Sequence, residues 1–271
     1  MKKVILITGA SSGMGKESAK RLLQEGYTVY AAARRLDQMQ DLKALGGFPL
    51  QVDVANEADL QTAVETVLQK EGRIDVLWNN AGYGLYGSVE DVPAAEAHRQ
   101  FEVNVFSMAR LIQLVVPHMR QQGSGLIINT SSMGGKVYTP MGAWYHASKH
   151  AIEGLSDSLR LELKQFNIHV VILEPGAIAT EFNDVAMREI TRYSGQGAYK
   201  TMAAKLVEST RKMAANNTGS KPAVIADTVA NIVASPKPKT RYRVGAFAKP
   251  LVWMRLYLGD RLFDKIIMSQ T

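Results

Sequence analysis

The sequence predicts an α/β fold, a doubly wound parallel sheet of about seven strands with helices on both faces and a C-terminal extension that covers substrate. Three observations predict it. Short apolar runs alternate regularly with amphipathic segments of helical length, a glycine-rich turn directly follows the first run, and no linker, repeat or low-complexity tract interrupts the alternation before about Glu181. Strands interleaved with helices in this way form right-handed βαβ units, whose parallel sheet is buried on both faces.

In chain order the first strand is "KVILIT", and "TGASSGMG", Thr8 to Gly15, opens the first helix. Glycines at 9, 13 and 15 permit a tight turn, close approach of backbone to a pyrophosphate, and tight packing of helix on sheet. The helix N-terminus then offers N–H groups and positive potential to phosphate. "TVYAAA", "FPLQVDV" and "IDVLWNN" are the second to fourth strands. A long helix follows, approximately from Glu96 to Gln121, then "GLIINTSS" as the fifth strand. A second long helix runs from Tyr145 to Phe166, and "IHVVILEP" is the sixth strand. Residues 182 to 221 read as mostly helical, polar and loop-punctuated, suited to a lid over substrate. "AVIADTVANIVA" is a further helix, "TRYRVG" the last strand and "KPLVWMRLYLGDRLFDKII" an apolar helical tail. The expectation is one domain over 1–271. Residues 1–181 form the cofactor-binding and catalytic core, and 182–271 the lid, last strand and tail.

Composition narrows the function. With 46% hydrophobic and 21% charged residues the chain can bury a full core. No apolar run approaches the length of a membrane span. "MKKVILITGASSG" opens like a secretion signal, but its apolar run ends at Ile7 and leads into the glycine turn, so a cytoplasmic protein is expected. The absence of cysteine excludes disulfides and thiolate chemistry. Net charge is +7, and it is unevenly placed: residues 200–271 hold 13 Lys/Arg against 4 Asp/Glu. Such a bias marks either an anionic partner or a solvated basic face.

The chemistry centres on "YHASK". Tyr145 and Lys149 are four residues apart on a helix and share one face. Alone, such a pair is more often a surface cation beside a ring. Free tyrosine has a pKa of about 10. A cation about 4 Å away at an effective dielectric of 20 favours the phenolate by roughly 4 kcal/mol, about 3 pKa units. Tyr145 is therefore expected to fall toward neutrality, where acid–base catalysis works best.

The glycine spacing, with "DV" at Asp53 and Val54, "NNAG" at Asn79 to Gly82, Asn104 in "FEVNVF", Ser132 in "NTSSMGG", the Tyr145/Lys149 pair and "PGAIAT" from Pro175 to Thr180, resembles the short-chain dehydrogenase/reductase family over nearly the whole chain. The tail is similar to the 17β-hydroxysteroid dehydrogenase and retinol dehydrogenase subgroup. The resemblance implies a Rossmann-type fold and an alcohol–carbonyl interconversion by hydride transfer. Tyr145 would be the general acid and base, Lys149 would lower its pKa and hold the nicotinamide ribose, and Ser132 would bind the substrate oxygen, with Ser131 the alternative. Asn104 would anchor a water leading to Lys149. Gly9, Ser11, Ser12, Gly13, Met14 and Gly15 would cradle the pyrophosphate. Asp53, Val54, Asn80, Ala81 and Gly82 would border the adenosine, and Pro175, Gly176, Ile178 and Thr180 the nicotinamide. It also implies a homodimer or homotetramer paired through the two long helices, and a bulky apolar substrate of steroid, retinoid or fatty-acyl type. The rival is a non-catalytic NADP-sensing or scaffold protein on the same fold.

Cofactor choice is read at the end of the second strand. NAD-preferring enzymes carry an acid there for the ribose 2′-OH. Here "YAAARRLD" places Ala33 at that position with Arg34 next and Arg35 beyond, which suits the 2′-phosphate of NADP(H). No metal is expected, because His146 and His150 lack a third ligand. No nucleic-acid partner is expected, because no recognition motif or aromatic platform accompanies the basic residues. In the tail, Leu251, Met254, Leu258, Leu262 and Ile266 recur at helical spacing among Arg255, Arg261 and Lys265. This stripe is expected to pack on the pocket or a partner subunit, in preference to an anionic membrane or an acidic carrier.

Overall fold

The computed structural model describes residues 2–269. Seven strands form one sheet: β1 Val4–Thr8, β2 Thr28–Ala33, β3 Phe48–Gln51, β4 Val76–Asn79, β5 Gly125–Thr130, β6 Ile168–Pro175 and β7 Arg241–Val244. Their order is β3-β2-β1-β4-β5-β6-β7 and every neighbouring pair is parallel. Between them run α1 Gly13–Gln24, α2 Gln40–Ala44, α3 Glu57–Glu71, α4 Ala94–Phe101, α5 Ser107–Gln122, α6 Ala143–Leu163, α7 Phe182–Ser194, α8 Lys200–Ala215, α9 Ala223–Ala234, α10 Ala248–Tyr257 and α11 Asp260–Met268.

β1 shows why the strands read as unbroken apolar runs. Val4 and Leu6 point into the core shared with α3, α5 and α6, while Ile5 and Ile7 point into the core shared with α1, α2 and α9. A central parallel strand is buried on both faces, so alternation disappears. Chain order reverses direction across the sheet between β1 and β4, and the crevice at that switch point is where such folds take ligands.

Three boundaries differ from expectation. β3 stops at Gln51, so Asp53 and Val54 lie beyond its end. The long helix before β5 is continuous but contains a π-turn over Glu102–Phe106, between α4 and α5. The tail is two helices broken at Gly259, whose φ of 71 suits glycine. With the axis broken, the continuous stripe is lost. Val252 and Phe263 are fully buried instead, Leu262 is exposed, and the other four stripe residues are half-buried.

Candidate active site

The glycine turn is shaped as a cradle. Gly9 and Gly13 have φ of 68 and 53. A Cβ at Gly15 would lie 2.3 Å from the Gly9 carbonyl oxygen and 2.6 Å from Asn80 Nδ2, so backbone, loop and helix meet too closely for any side chain. Asn80 holds that turn by donating from Nδ2 to the carbonyls of Thr8 and Gly9. Its Oδ1 is buried without a protein partner among the described residues. On the far side of the cleft, a Cβ at Gly13 would lie 3.2 Å from Thr180 Cγ2, so the Pro175–Thr180 loop closes over the cradle. Gly176 is packed as tightly, its hypothetical Cβ 2.0 Å from the Ala246 carbonyl oxygen.

Arg35, rather than Arg34, reaches this cradle. Its guanidinium donates to Ser12 Oγ at 2.9 Å and to Ser11 Oγ at 3.3 Å, and lies 3.7 Å from Glu181. Arg34 is exposed beside it, and Ala33 is buried at the strand end. Asp53 accepts from the Ala55 N–H and pairs with Arg99 at 3.3 Å.

Tyr145, Lys149 and Ser132 converge at the carboxyl ends of β5 and β6, and all three are buried. Ser132 caps a short 3-10 turn, Met133–Gly135, its Oγ accepting from the Gly134 N–H at 3.0 Å. Lys149 Nζ donates to the Thr130 carbonyl at 2.9 Å and lies 5.9 Å from the centre of the Tyr145 ring. The expected fall in the tyrosine pKa is absent here. Burial pushes Tyr145 up to about 12, opposed by its contact with Ser132, and pushes Lys149 down to about 8, opposed by Glu153. The ammonium is engaged by a carbonyl and sits over the ring at 5.9 Å rather than against the hydroxyl, so desolvation of the phenolate dominates.

Asn104 sits in the π-turn, a geometry that recurs at functional sites. Its Nδ2 donates to Ser148 Oγ and to the Tyr83 carbonyl, and its Oδ1 accepts from the Tyr83 N–H. Gly82 lets the NNAG loop approach: a Cβ there would be 3.0 Å from Asn104 Oδ1 and 3.8 Å from Lys149 Nζ. Ser131 Oγ donates instead to the Lys149 carbonyl at 3.4 Å.

Three residues of the site carry no sequence signal. Tyr86 and Phe182 wall the Tyr145 ring, with ring centres 5.5 and 5.3 Å from it. Gly84 is the clearance between them, since a Cβ there would be 2.5 Å from Phe182 and 2.8 Å from Tyr86. α7 and α8 close the wall through a small core of Met141, Ile190, Ala203 and Val207 against Tyr86 and Met187. His146 is the third. Its Nε2 accepts from the Thr139 N–H at 3.1 Å, so Nδ1 carries the proton and donates to the Gly134 carbonyl at 3.1 Å. Burial lowers its pKa to about 4, which keeps it neutral while it pins the Ser132 turn to α6. Among the described residues no cluster of three metal-ligating side chains exists.

A parallel sheet with a glycine cradle at its switch point, and a buried tyrosine, lysine and serine beside it, defines a Rossmann-type nucleotide-binding α/β protein. Residues 3–190 match the family model described as short chain dehydrogenase. The chain is 36% identical over 258 residues to a 3-ketodihydrosphingosine reductase of Bacteroides thetaiotaomicron, covering 93% of each chain. It is 35% identical over 261 residues to the probable short-chain type dehydrogenase/reductase VdlC of Helicobacter pylori, covering 96% of this chain and 95% of that one. The structure superposes on a short-chain dehydrogenase from Streptomyces avermitilis with a TM-score of 0.79 and 30% identity, over 99% of this chain and 94% of the other. The chain belongs to the short-chain dehydrogenase/reductase family of oxidoreductases.

Proposed function

We propose that the chain is an NADP(H)-dependent oxidoreductase that interconverts a bulky apolar alcohol with its ketone or aldehyde. The observation that carries the reading is the convergence of Tyr145, Ser132 and Lys149 in one buried group between a glycine cradle and an aromatic wall. The cradle suits a pyrophosphate, and the guanidinium of Arg35 over Ser11 and Ser12, with Arg34 beside it, suits a 2′-phosphate. Gly9, Ser11, Ser12, Gly13, Met14 and Gly15 would hold the phosphates. Asn80, Ala81, Gly82 and Val54 would flank the adenosine, and Pro175, Gly176, Ile178 and Thr180 the nicotinamide. Asp53 fits the adenine less well, because Arg99 already occupies its carboxylate.

When bound in the cradle, NADPH would supply the hydride for reduction. Tyr145 Oη gives a proton to the carbonyl oxygen of the substrate, and Ser132 Oγ donates to the same oxygen and fixes its position. Lys149 would hold the ribose hydroxyls and keep positive charge near the phenol, and Asn104 would anchor a water leading to Lys149. Tyr86, Phe182, Met141 and Met187 supply a wall with few hydrogen-bonding groups, which favours an apolar substrate. The relative named for a 3-keto sphingoid substrate points the same way.

Tyr145→Phe tests the reading. Reduction of a panel of apolar ketones, followed by NADPH absorbance, should fall roughly a hundredfold to ten-thousandfold, with NADPH affinity nearly unchanged. Substantial turnover in the purified variant would reject the tyrosine's role and favour a different proton donor.

A further inference from the structure

The two faces of α10 have opposite environments. Ala248 and Val252 are buried, and Leu251 and Met254 pack against the small core of Val137, Val252 and Phe263. The other face presents Lys249, Pro250, Trp253, Leu256 and Tyr257, which with Arg243 line a surface depression of about 510 Å³. Trp253 is 56% exposed and Tyr257 70%, and their rings lie 5.5 Å apart. α11, the next helix along the chain, exposes Leu262, Arg261 and Lys265. Arg243 is paired with Glu174 and Arg255 with Asp260, whereas Lys249, Arg261 and Lys265 form no salt bridge among the described residues.

We propose that this α10–α11 face docks on an anionic lipid bilayer, with Trp253 and Tyr257 seated at headgroup level and Lys249, Arg261 and Lys265 on the lipid phosphates. Two physical features select this occupant. Short helices that combine exposed aromatic and aliphatic side chains with uncompensated cations lie in the membrane interface, where tryptophan and tyrosine place an apolar body and a polar tip. The charge is also complementary, since α10 and α11 hold four Lys/Arg against two Asp/Glu, and one of the two acids, Asp260, is paired with Arg255.

A second copy fits less well, because a twofold contact sets the same patch against itself and gathers these cations against only Asp260 and Asp264, which already meet Arg255 and Tyr138. A nucleic acid would stack on Trp253 and Tyr257 but would leave the exposed aliphatic Leu256 and Leu262 uncovered, whereas the acyl boundary of a bilayer buries both kinds of side chain. The patch lies beside the site: Ala246 and Ala248, at the start of α10, abut Gly176, and Val137 of its inner core follows the Ser132 turn. No helix among the described residues is long and apolar enough to cross a membrane, so the attachment is peripheral.

Co-sedimentation of the full chain with vesicles reads this directly and independently of the oxidoreductase reading. The chain should sediment with vesicles of phosphatidylcholine containing one quarter phosphatidylglycerol, and much less with phosphatidylcholine alone. Lys249→Gln and Lys265→Gln should each weaken binding about fivefold. Trp253→Ala with Tyr257→Ala should weaken it at least about tenfold. Circular dichroism and ketone reduction in vesicle-free buffer should be unaffected by these exposed changes. The proposal is overturned if the chain ignores both vesicles, or if it binds them equally without sensing the lysine changes. It is also overturned if the aromatic double variant alters the oligomer by light scattering, or if single-stranded DNA is retained where vesicles are not.

Discussion

Burial moves Tyr145 and Lys149 in opposite directions, to about 12 and about 8, and on the proposed reading this bears first on ketone reduction. A phenol that keeps its proton through neutral pH is a ready donor to a carbonyl and a poor acceptor from an alcohol. Lys149 has a folded pKa below its usual value, so it loses its charge as pH rises through about 8. Ketone reduction should therefore be flat below about pH 7 and decline through about pH 8, and a kcat/KM profile checks it. In Lys149→Arg, whose guanidinium stays charged, that limb should be absent from the accessible range. A wild-type profile without a limb near pH 8 would remove Lys149 from the proton path. The second residue-scale prediction concerns the cradle. Arg35→Ala should weaken NADPH roughly tenfold to a hundredfold while changing NADH little, because it deletes a charge-assisted contact to the 2′-phosphate. Arg34→Ala should have the smaller effect, and Ala33→Asp should shift preference toward NADH. Fluorescence titration of both cofactors decides, and an equal loss of both on Arg35→Ala would place selectivity elsewhere.

At the scale of elements, β7 shows what a basic segment does in this chain. Edge strands need something to hold and protect them. Here Arg241 of β7 bonds Glu153 and Asp157 of α6 and Glu174 of β6, while Arg243 also meets Glu174. Glu174 is fully buried, and burial together with Glu153 raises its pKa against the pull of the two arginines. Arg241→Ala removes bonds to three acids but leaves Glu174 with Arg243, Glu153 with Lys136 and Asp157 with Arg160, so it should destabilise the fold by about 1.5 to 3 kcal/mol. Urea unfolding checks this; a loss under about 1 kcal/mol would mean that β7 is held by its backbone ladder alone.

Part of the C-terminal basic bias is thus consumed inside the sheet, a use that composition cannot distinguish from a solvated face. Strands, glycine turn and Tyr145/Lys149 spacing were legible because each depends on local pattern. The π-turn under Asn104, the wall of Tyr86 and Phe182 and the His146 clasp depend on contacts between distant segments. The tail stripe was misread because Gly259 ends one helix and turns the next, which resets the apolar phase.

At the scale of the molecule, one sheet carries both parts of the proposed site, and the last two helices pack against the segment that follows Ser132. The cofactor cradle rests on β1, β2 and β4, deep in the doubly covered core. The Ser132 turn instead continues into Val137 and Tyr138, whose cover is the inner face of α10 and α11. Phe263 is fully buried there, its ring 5.3 Å from that of Tyr138, and Tyr138 Oη donates to Asp264. Arg255 lies over the same tyrosine, 5.2 Å from its centre. Phe263→Ala empties this core and should cost about 3 to 5 kcal/mol locally. Because the loosened segment carries Ser132 and leaves the cradle untouched, kcat for a bulky ketone should fall and its KM rise while the Kd for NADPH stays near wild type. Truncation after Ala248 should produce the same split more strongly, and any loss of oligomer would appear in light scattering of the same sample. If Phe263→Ala weakened NADPH and ketone turnover in equal proportion, the two parts of the proposed site would be one cooperative unit, and the tail would stabilise the whole sheet rather than the substrate side of it.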